Sequence, residues 1–118
     1  MKDVSTNYAR GIFAEIYAMG YLLAKGYRLK AWRYKTPVGE VDVIAVRGQT
    51  LVFVEVKLRT SLDGALQSIT PQMKNRISRA AMHYMARAGD WHGEVRFDVI
   101  AVSGGRLRHL DNAWFPPP

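Results

Sequence analysis

The chain has 118 residues, 48% of them hydrophobic and 23% charged, which fits one soluble globular domain with a core of its own. It contains no cysteine, which excludes disulfides and cysteine-bearing zinc sites, and its three histidines show no metal-ligand spacing. Lys and Arg number 17 against 10 Asp and Glu, and this net charge of +7 would attract polyanions such as nucleic acids.

The hydropathy pattern gives no indication of a membrane protein. No apolar run approaches the roughly 20 residues of a membrane-spanning helix. The N-terminus begins with Lys2 and Asp3 and a polar stretch, unlike the apolar core of a signal peptide. We therefore expect a cytoplasmic protein with no membrane partner.

The first half of the chain predicts one helix followed by three strands. Ser5-Thr6-Asn7 supplies capping residues for a helix over about 7–25, and Glu15 is its one acid, close to the apolar stripe. Alternation and Val-rich runs then predict strands over residues 27–35, 40–47 and 50–58.

The second half predicts a longer helix and two further strands. A short helical turn is expected near Leu66, and Thr70-Pro71 starts a helix that runs to about Ala88. Strands follow at about 94–102 and 106–110, and residues 113–118 are expected to be a frayed tail. The order αβββαββ predicts one α/β domain over residues 1–118.

Two acidic side chains are predicted to face each other across the hairpin of the second and third strands. A tight turn at Gly48-Gln49 pairs Arg47 with Thr50, and counting back along both strands sets Asp42 opposite Glu55. Both strands are apolar on both faces, so the two carboxylates are expected to be partly desolvated.

Such a pair is unfavourable unless something compensates for it. One acid could stay protonated, Lys57 could neutralise one charge, or a divalent cation could bind both carboxylates. Carboxylate oxygens favour hard cations, so the metal would be Mg²⁺ or Mn²⁺. In that case Lys57 lies where its ammonium can stabilise a phosphate oxyanion.

The pentapeptide Asp-Val-Ile-Ala-Val occurs twice, at residues 42–46 and 98–102. The flanking residues of the two copies do not match, which favours two similar buried strands over a duplication. Asp98 is interpreted as a structural residue that pairs with a basic group.

Two motifs of the hairpin, Gly39-Glu40-Val41-Asp42 and Phe53-Val54-Glu55-Val56-Lys57, resemble the signature of the PD-(D/E)xK nuclease superfamily. The resemblance is closer to the YraN-like family of small bacterial proteins. It covers nearly the whole chain. One departure from the superfamily pattern is Val41, which precedes Asp42 where the name implies proline.

The resemblance implies a restriction-endonuclease-like, three-layer α/β/α fold with a central mixed sheet. It further implies that Asp42 and Glu55 bind the metal, that Lys57 is the catalytic lysine, and that Glu15 adds a third acid for metal and catalysis. Glu15 has an alternative interpretation, as a partly buried acid paired to a nearby Arg or Lys. Dimeric resolvases in the superfamily make a homodimer conceivable, although no helix shows a dimer seam.

Basic residues near these strands and on the later helix are candidates for phosphate contacts. The residues expected to bind nucleic acid are Arg47, Arg59, Lys74, Arg76, Arg79 and Arg87. The alternative for each helical residue is an ordinary solvated helix face.

Three functions fit these patterns. The first is a Mg²⁺-dependent nuclease that acts on DNA, with branched or junction DNA as a candidate substrate. The second is a nucleic-acid-binding module that retains the fold without turnover, and the third is a small structural protein whose basic charge only aids solubility.

Overall fold

The computed structural model describes the backbone of residues 4–89 and 91–114 and the side chains of residues 7–89 and 91–114. Three helices and five strands follow one another along the chain. They are α1 (Val4–Ala24), β1 (Arg28–Thr36), β2 (Gly39–Arg47), β3 (Thr50–Leu58), α2 (Leu62–Gln67), α3 (Pro71–Ala88), β4 (Glu94–Ser103) and β5 (Arg106–Trp114).

The strands form one mixed sheet in the order β1-β2-β3-β4-β5. The β1–β2, β2–β3 and β4–β5 pairs are antiparallel, whereas β3 and β4 are parallel. The parallel pair requires a crossover, and α2 and α3 supply it. The expected α/β fold with a central mixed sheet between helices is therefore confirmed.

Each face of the sheet has its own apolar core. On one face, Ala14, Ala18 and Leu22 of α1 pack against valines of β2 and β3. On the other, Ile77, Ala80 and Ala81 of α3 pack against large side chains that include Phe53 and Phe97. Small residues at the contacting positions let both helices lie close to the strands, which buries β2 and β3 on both sides.

Each crossover helix begins after a capping hydroxyl; the start of α3 was predicted, whereas α2 covers Leu62–Gln67 where only a short helical turn near Leu66 was expected. Ser61 caps α2 by accepting a hydrogen bond from the Gly64 amide, and Thr70 caps α3 by accepting one from the Met73 amide. Pro71 occupies the first turn of α3, where no intrahelical donor is needed. The structure thus adds α2, a complete six-residue helix, to the expected order.

The last strand is longer than predicted. β5 runs to Trp114 instead of residue 110, so residues 113 and 114 belong to the sheet and not to a frayed tail. The Trp114 ring stacks on Phe97 with centroids 5.1 Å apart, and its indole N–H donates to Ser78 Oγ at 3.2 Å. These contacts come from β4 and α3, which are distant in sequence. The remaining expected tail, residues 115–118, lies outside the described residues.

No helix in the described part of the chain is sufficiently long and apolar to span a bilayer.

Candidate active site

The β2–β3 hairpin has the predicted register. Arg47 pairs with Thr50, and the ladder continues to Val43 opposite Val54. One step further, the backbone pairing gives way to a side chain: Asp42 Oδ2 accepts a hydrogen bond from the Val56 amide at 2.8 Å. The Asp42 carboxyl group is therefore held against β3 directly beside Glu55.

The strands are irregular at this point. Val41 packs in the core against α3, whereas Val43 packs in the core against α1, so the simple alternation expected for both residues fails at Asp42. On the neighbouring strand, Arg33 lies between the partners of Val41 and Val43 and has a left-handed backbone, with φ of 56°. Such a conformation is unfavourable for a residue other than glycine, and it is often found at functional sites.

Asp42 and Glu55 form a buried carboxyl pair. Glu55 is only 9% exposed. Burial, together with the hydrogen bond and the charge of Asp42, raises the pKa of Glu55 to about 9. Burial also raises the pKa of Asp42, although the hydrogen bonds from Glu55 and Val56 act in the opposite direction. The raised pKa values favour one proton retained by the pair at neutral pH, which corresponds to the first of the three compensations considered above.

Lys57 lies beside this pair. Its Nζ is 3.5 Å from Glu55 Oε2, and both side chains are largely shielded from solvent. The lysine charge lowers the pKa of Glu55, but burial and Asp42 have the larger effect. With Glu55 protonated, the contact is a hydrogen bond to a neutral carboxyl group, and the lysine charge remains available to a bound anion.

Glu15 reaches toward the pair from α1 but is bound by other residues. Its Oε1 accepts hydrogen bonds from Arg33 Nε at 2.9 Å and from the Trp32 indole at 2.7 Å. Its charge still contributes to raising the pKa of Asp42, which indicates proximity. The structure thus agrees with the alternative interpretation of Glu15 as an acid paired to an arginine, and a role in metal binding stays a prediction.

The donor set suits a cation that needs few protein ligands. Within residues 7–89 and 91–114, no three metal-ligating side chains come together. Mg²⁺ is commonly bound through one or two carboxylates, with water and substrate phosphates completing its octahedron. The Asp42–Glu55 pair fits that pattern, because a divalent cation could replace the shared proton and neutralise both carboxylates.

Two open clefts meet at Lys57. The cleft beside α3 has a volume of about 220 Å³ and is lined by Glu40, Glu55, Lys57 and Arg76 among others. The cleft beside α1 has a volume of about 490 Å³, and its lining includes Glu15, Lys57 and Arg59. Arg76, predicted to contact phosphates, thus lines the same cleft as Glu55, and Arg59, predicted likewise, lines the other cleft with Lys57.

The absence of a side chain at Gly39 lets the Arg76 backbone of α3 lie against the start of β2. A Cβ atom at this glycine would lie 2.3 Å from the Arg76 carbonyl oxygen, so any side chain would push α3 away from β2. The glycine of the Gly-Glu-Val-Asp motif therefore has a packing role, because it lets α3 cross the start of β2 and form the wall of the smaller cleft.

Arg47 is not beside the site, contrary to the prediction. It lies at the turn end of the hairpin, five residues along β2 from Asp42, which corresponds to about 17 Å of extended strand. There its guanidinium stacks on the Tyr27 ring at 4.6 Å. The prediction took Arg47 as near the end of β2, but this is the turn end, and the carboxyl pair lies toward the other end.

The other basic residues of α3 extend away from the carboxyl pair. Lys74 is half-buried, whereas Arg79 and Arg87 are exposed on the helix surface. Arg87 is eleven residues beyond Arg76, or about 16 Å along the axis. Their expected contact with nucleic acid stays a prediction.

Sequence reasoning missed two residues at the site. Arg33 binds Glu15, and Arg10 lines the larger cleft together with Arg59. Arg10 could have been noticed as a basic residue five positions before Glu15 on α1. Nothing in the sequence marks Arg33, because its contact with Glu15 depends on how α1 packs over β1.

The chain matches the family described as "Uncharacterised protein family UPF0102" over residues 14–102. A UPF0102 protein of Caulobacter sp. (strain K31) is 48% identical over 103 residues, which cover 86% of this chain and 74% of that relative. One from Rhodopseudomonas palustris (strain HaA2) is 45% identical over 113 residues, covering 94% of this chain and 88% of the relative. The YraN-like resemblance is thereby confirmed, and the nuclease superfamily stays a prediction.

Proposed function

We propose that this chain, which belongs to the uncharacterised protein family UPF0102, is a metal-dependent nuclease that hydrolyses phosphodiester bonds in DNA. The observation that carries the proposal is the buried carboxyl pair of Asp42 and Glu55 with the Lys57 ammonium 3.5 Å from Glu55. A pair of this kind destabilises the fold, and a divalent cation together with an anionic substrate would relieve that cost.

Each residue has a defined part in such a reaction. Asp42 and Glu55 would give up their shared proton and hold Mg²⁺ or Mn²⁺, which polarises a phosphate and activates water when bound. Lys57 would stabilise negative charge that develops on the phosphate oxygens. Arg59 and Arg76, at the two clefts, would hold the flanking phosphates of the strand.

The decisive experiment is cleavage of a panel of branched, flapped, single-stranded and duplex DNAs with Mg²⁺ or Mn²⁺. We expect Asp42→Ala, Glu55→Ala and Lys57→Ala to lower the rate by about a hundredfold or more, since each removes part of the charge stabilisation at the phosphate. Lys35→Ala, an exposed lysine of β1, is the matched control and should retain the wild-type rate.

The alternative function, nucleic-acid binding without turnover, gives a different result. It predicts DNA affinity that falls with salt, no cleavage with either metal, and no loss of affinity in Asp42→Ala. The net charge of +7 supports binding in both cases, so cleavage alone separates them. A protein that neither binds nor cleaves any member of the panel would contradict both proposals.

A further inference from the structure

A long groove runs from the carboxyl pair along α1. The larger of the two clefts at Lys57 adjoins another of about 310 Å³, and the two share Arg10, Ala14 and Leu58 in their walls. We call these two adjoining clefts together the α1 groove. It begins at Lys57 and ends at the β4–β5 turn, where Gly104 and Gly105 form its far wall.

The end of the α1 groove near the site is basic. Arg10, Lys57 and Arg59 line it, and Glu15, the one acid among the described residues of that lining, is paired with Arg33. Arg10 and Arg59 are both exposed, so their guanidinium groups are accessible from the groove. This end therefore has the chemistry to hold the phosphates of a nucleic-acid backbone.

The far end of the α1 groove is aromatic. Phe13 is 70% exposed and Tyr17 43% exposed, and both line the groove one helical turn apart. The Tyr17 hydroxyl donates to the Gly105 carbonyl at 2.7 Å, which fixes the tyrosine ring against the β4–β5 turn. Exposed aromatic rings beside a basic channel are the arrangement that proteins use to stack unpaired bases.

We infer that the α1 groove binds a single-stranded segment of nucleic acid, with phosphates at Arg10 and Arg59 and unpaired bases stacked on Phe13 and Tyr17. A base inside a duplex is stacked on both sides and cannot present its face to these rings. The preferred substrate is then one with an unpaired strand next to the cleaved bond. This inference rests on the proposed nuclease function for its place beside the carboxyl pair, but its test needs binding alone.

The test measures fluorescence anisotropy in EDTA, with a labelled oligonucleotide of about 12 nucleotides presented as a single strand or as a duplex. We expect Phe13→Ala and Tyr17→Ala each to weaken single-strand binding about tenfold, with little change for the duplex. Ile16→Ala and Leu23→Ala are matched controls, since these side chains are also exposed on α1 but lie outside the groove lining. They should bind like wild type.

Two further measurements distinguish stacking from a loss of structure. Tyr17→Phe keeps the ring and should retain most of the affinity that Tyr17→Ala loses. A 2-aminopurine base in the oligonucleotide should be quenched on binding to the wild type and less so on binding to Phe13→Ala, because its fluorescence reports contact with a ring.

The inference would be overturned if Phe13→Ala and Ile16→Ala lost equal affinity for the single strand. It would also be overturned if the Phe13→Ala and Tyr17→Ala variants lost as much affinity for the duplex as for the single strand. Variants that change the sedimentation of the protein without changing its affinity would overturn it as well, since the aromatic surface would then be a protein contact. Selective single-strand binding without cleavage would contradict the proposed nuclease function alone. Cleavage by the wild type, together with unchanged single-strand affinity in Phe13→Ala, would contradict only the inferred role of the α1 groove.

Discussion

Two aspartates, the half-buried Asp42 and the buried Asp98, begin the same pentapeptide, Asp-Val-Ile-Ala-Val, yet they lie in opposite electrostatic surroundings. Asp98 of β4 is fully buried and surrounded by donors. Arg96 donates two hydrogen bonds at 2.8 Å, His109 Nε2 lies at 2.6 Å, and the Asn112 amide donates at 3.0 Å. Burial alone would raise the pKa of Asp98, but its hydrogen bonds to His109 and Arg96 outweigh it and lower that pKa.

Asp42 of β2 has one backbone donor, the Val56 amide, and a second carboxyl group as its neighbour. Its pKa is raised, and the pair it forms with Glu55 keeps a proton. The same five residues thus give a carboxylate surrounded by hydrogen-bond donors in one strand and a carboxyl pair that retains a proton in the other. The difference shows that the chemistry of each acid is set by the side chains around it and not by the pentapeptide that it begins.

The largest expected effect is the loss of the Asp98 charge. Asp98→Asn leaves Arg96 and His109 without their anionic partner in a buried cluster, so we expect the free energy of unfolding to fall by about 3 kcal/mol. Asp42→Asn, the same change at the same position of the repeated pentapeptide, should cost less than about 1 kcal/mol because its amide oxygen can still accept from Val56. Urea unfolding of the two variants measures both. Similar losses would show that the two aspartates do not differ as described.

The next effect has the opposite sign. Without metal, Glu55→Gln should raise the free energy of unfolding by about 1 kcal/mol at neutral pH, since it removes an ionisable group from a buried pair. The pKa of Glu55 is about 9 in the folded state, against an ordinary value of 4.5. The wild type therefore loses stability as pH rises between these two values, and the stability advantage of Glu55→Gln should grow over the same interval. Glu40→Gln, an exposed glutamate of the same hairpin, is the control and should change little. A destabilised Glu55→Gln protein in EDTA would contradict the account of this pair.

The smallest expected effect is the loss of folding stability at low pH, when Asp98 becomes protonated. The folded pKa of Asp98 is lowered, so its contribution to stability is present above the unfolded pKa and is lost as pH falls through the folded value. Urea unfolding between about pH 5 and pH 3 should show a steeper loss of stability for the wild type than for Asp98→Asn. Parallel curves would indicate that other carboxylates account for the acid sensitivity.

The site pair was predictable because its placement depends on local geometry. A tight turn at Gly48-Gln49 and strand periodicity are enough to set Asp42 opposite Glu55, and the observed ladder agrees as far as Val43 and Val54. The break of that ladder at Asp42 was not predictable. It involves the left-handed backbone of Arg33 on β1, and nothing in the hairpin sequence specifies its neighbour.

Errors occurred where an outcome depended on contacts between distant elements. Residues 113 and 114 were predicted to belong to a frayed tail, yet Trp114 is buried against Phe97 and Ser78. Arg47 read as a neighbour of the site, yet its guanidinium lies over Tyr27 at the turn end of the hairpin. The contact of Glu15 with Arg33, one of its two interpretations, likewise depends on how α1 packs across β1, and its part in metal binding stays a prediction.

By itself, the sequence determined the helices, the strands, the hairpin register and the net positive charge, since each follows from periodicity, turn residues or composition. The tertiary structure alone decided which acids are compensated, that Arg33 binds Glu15, and that Arg10, Phe13 and Tyr17 line a groove leading to the carboxyl pair. These depend on which side chains distant segments bring within a few ångströms, where desolvation and short-range charge interactions set the pKa and the partner of each acid.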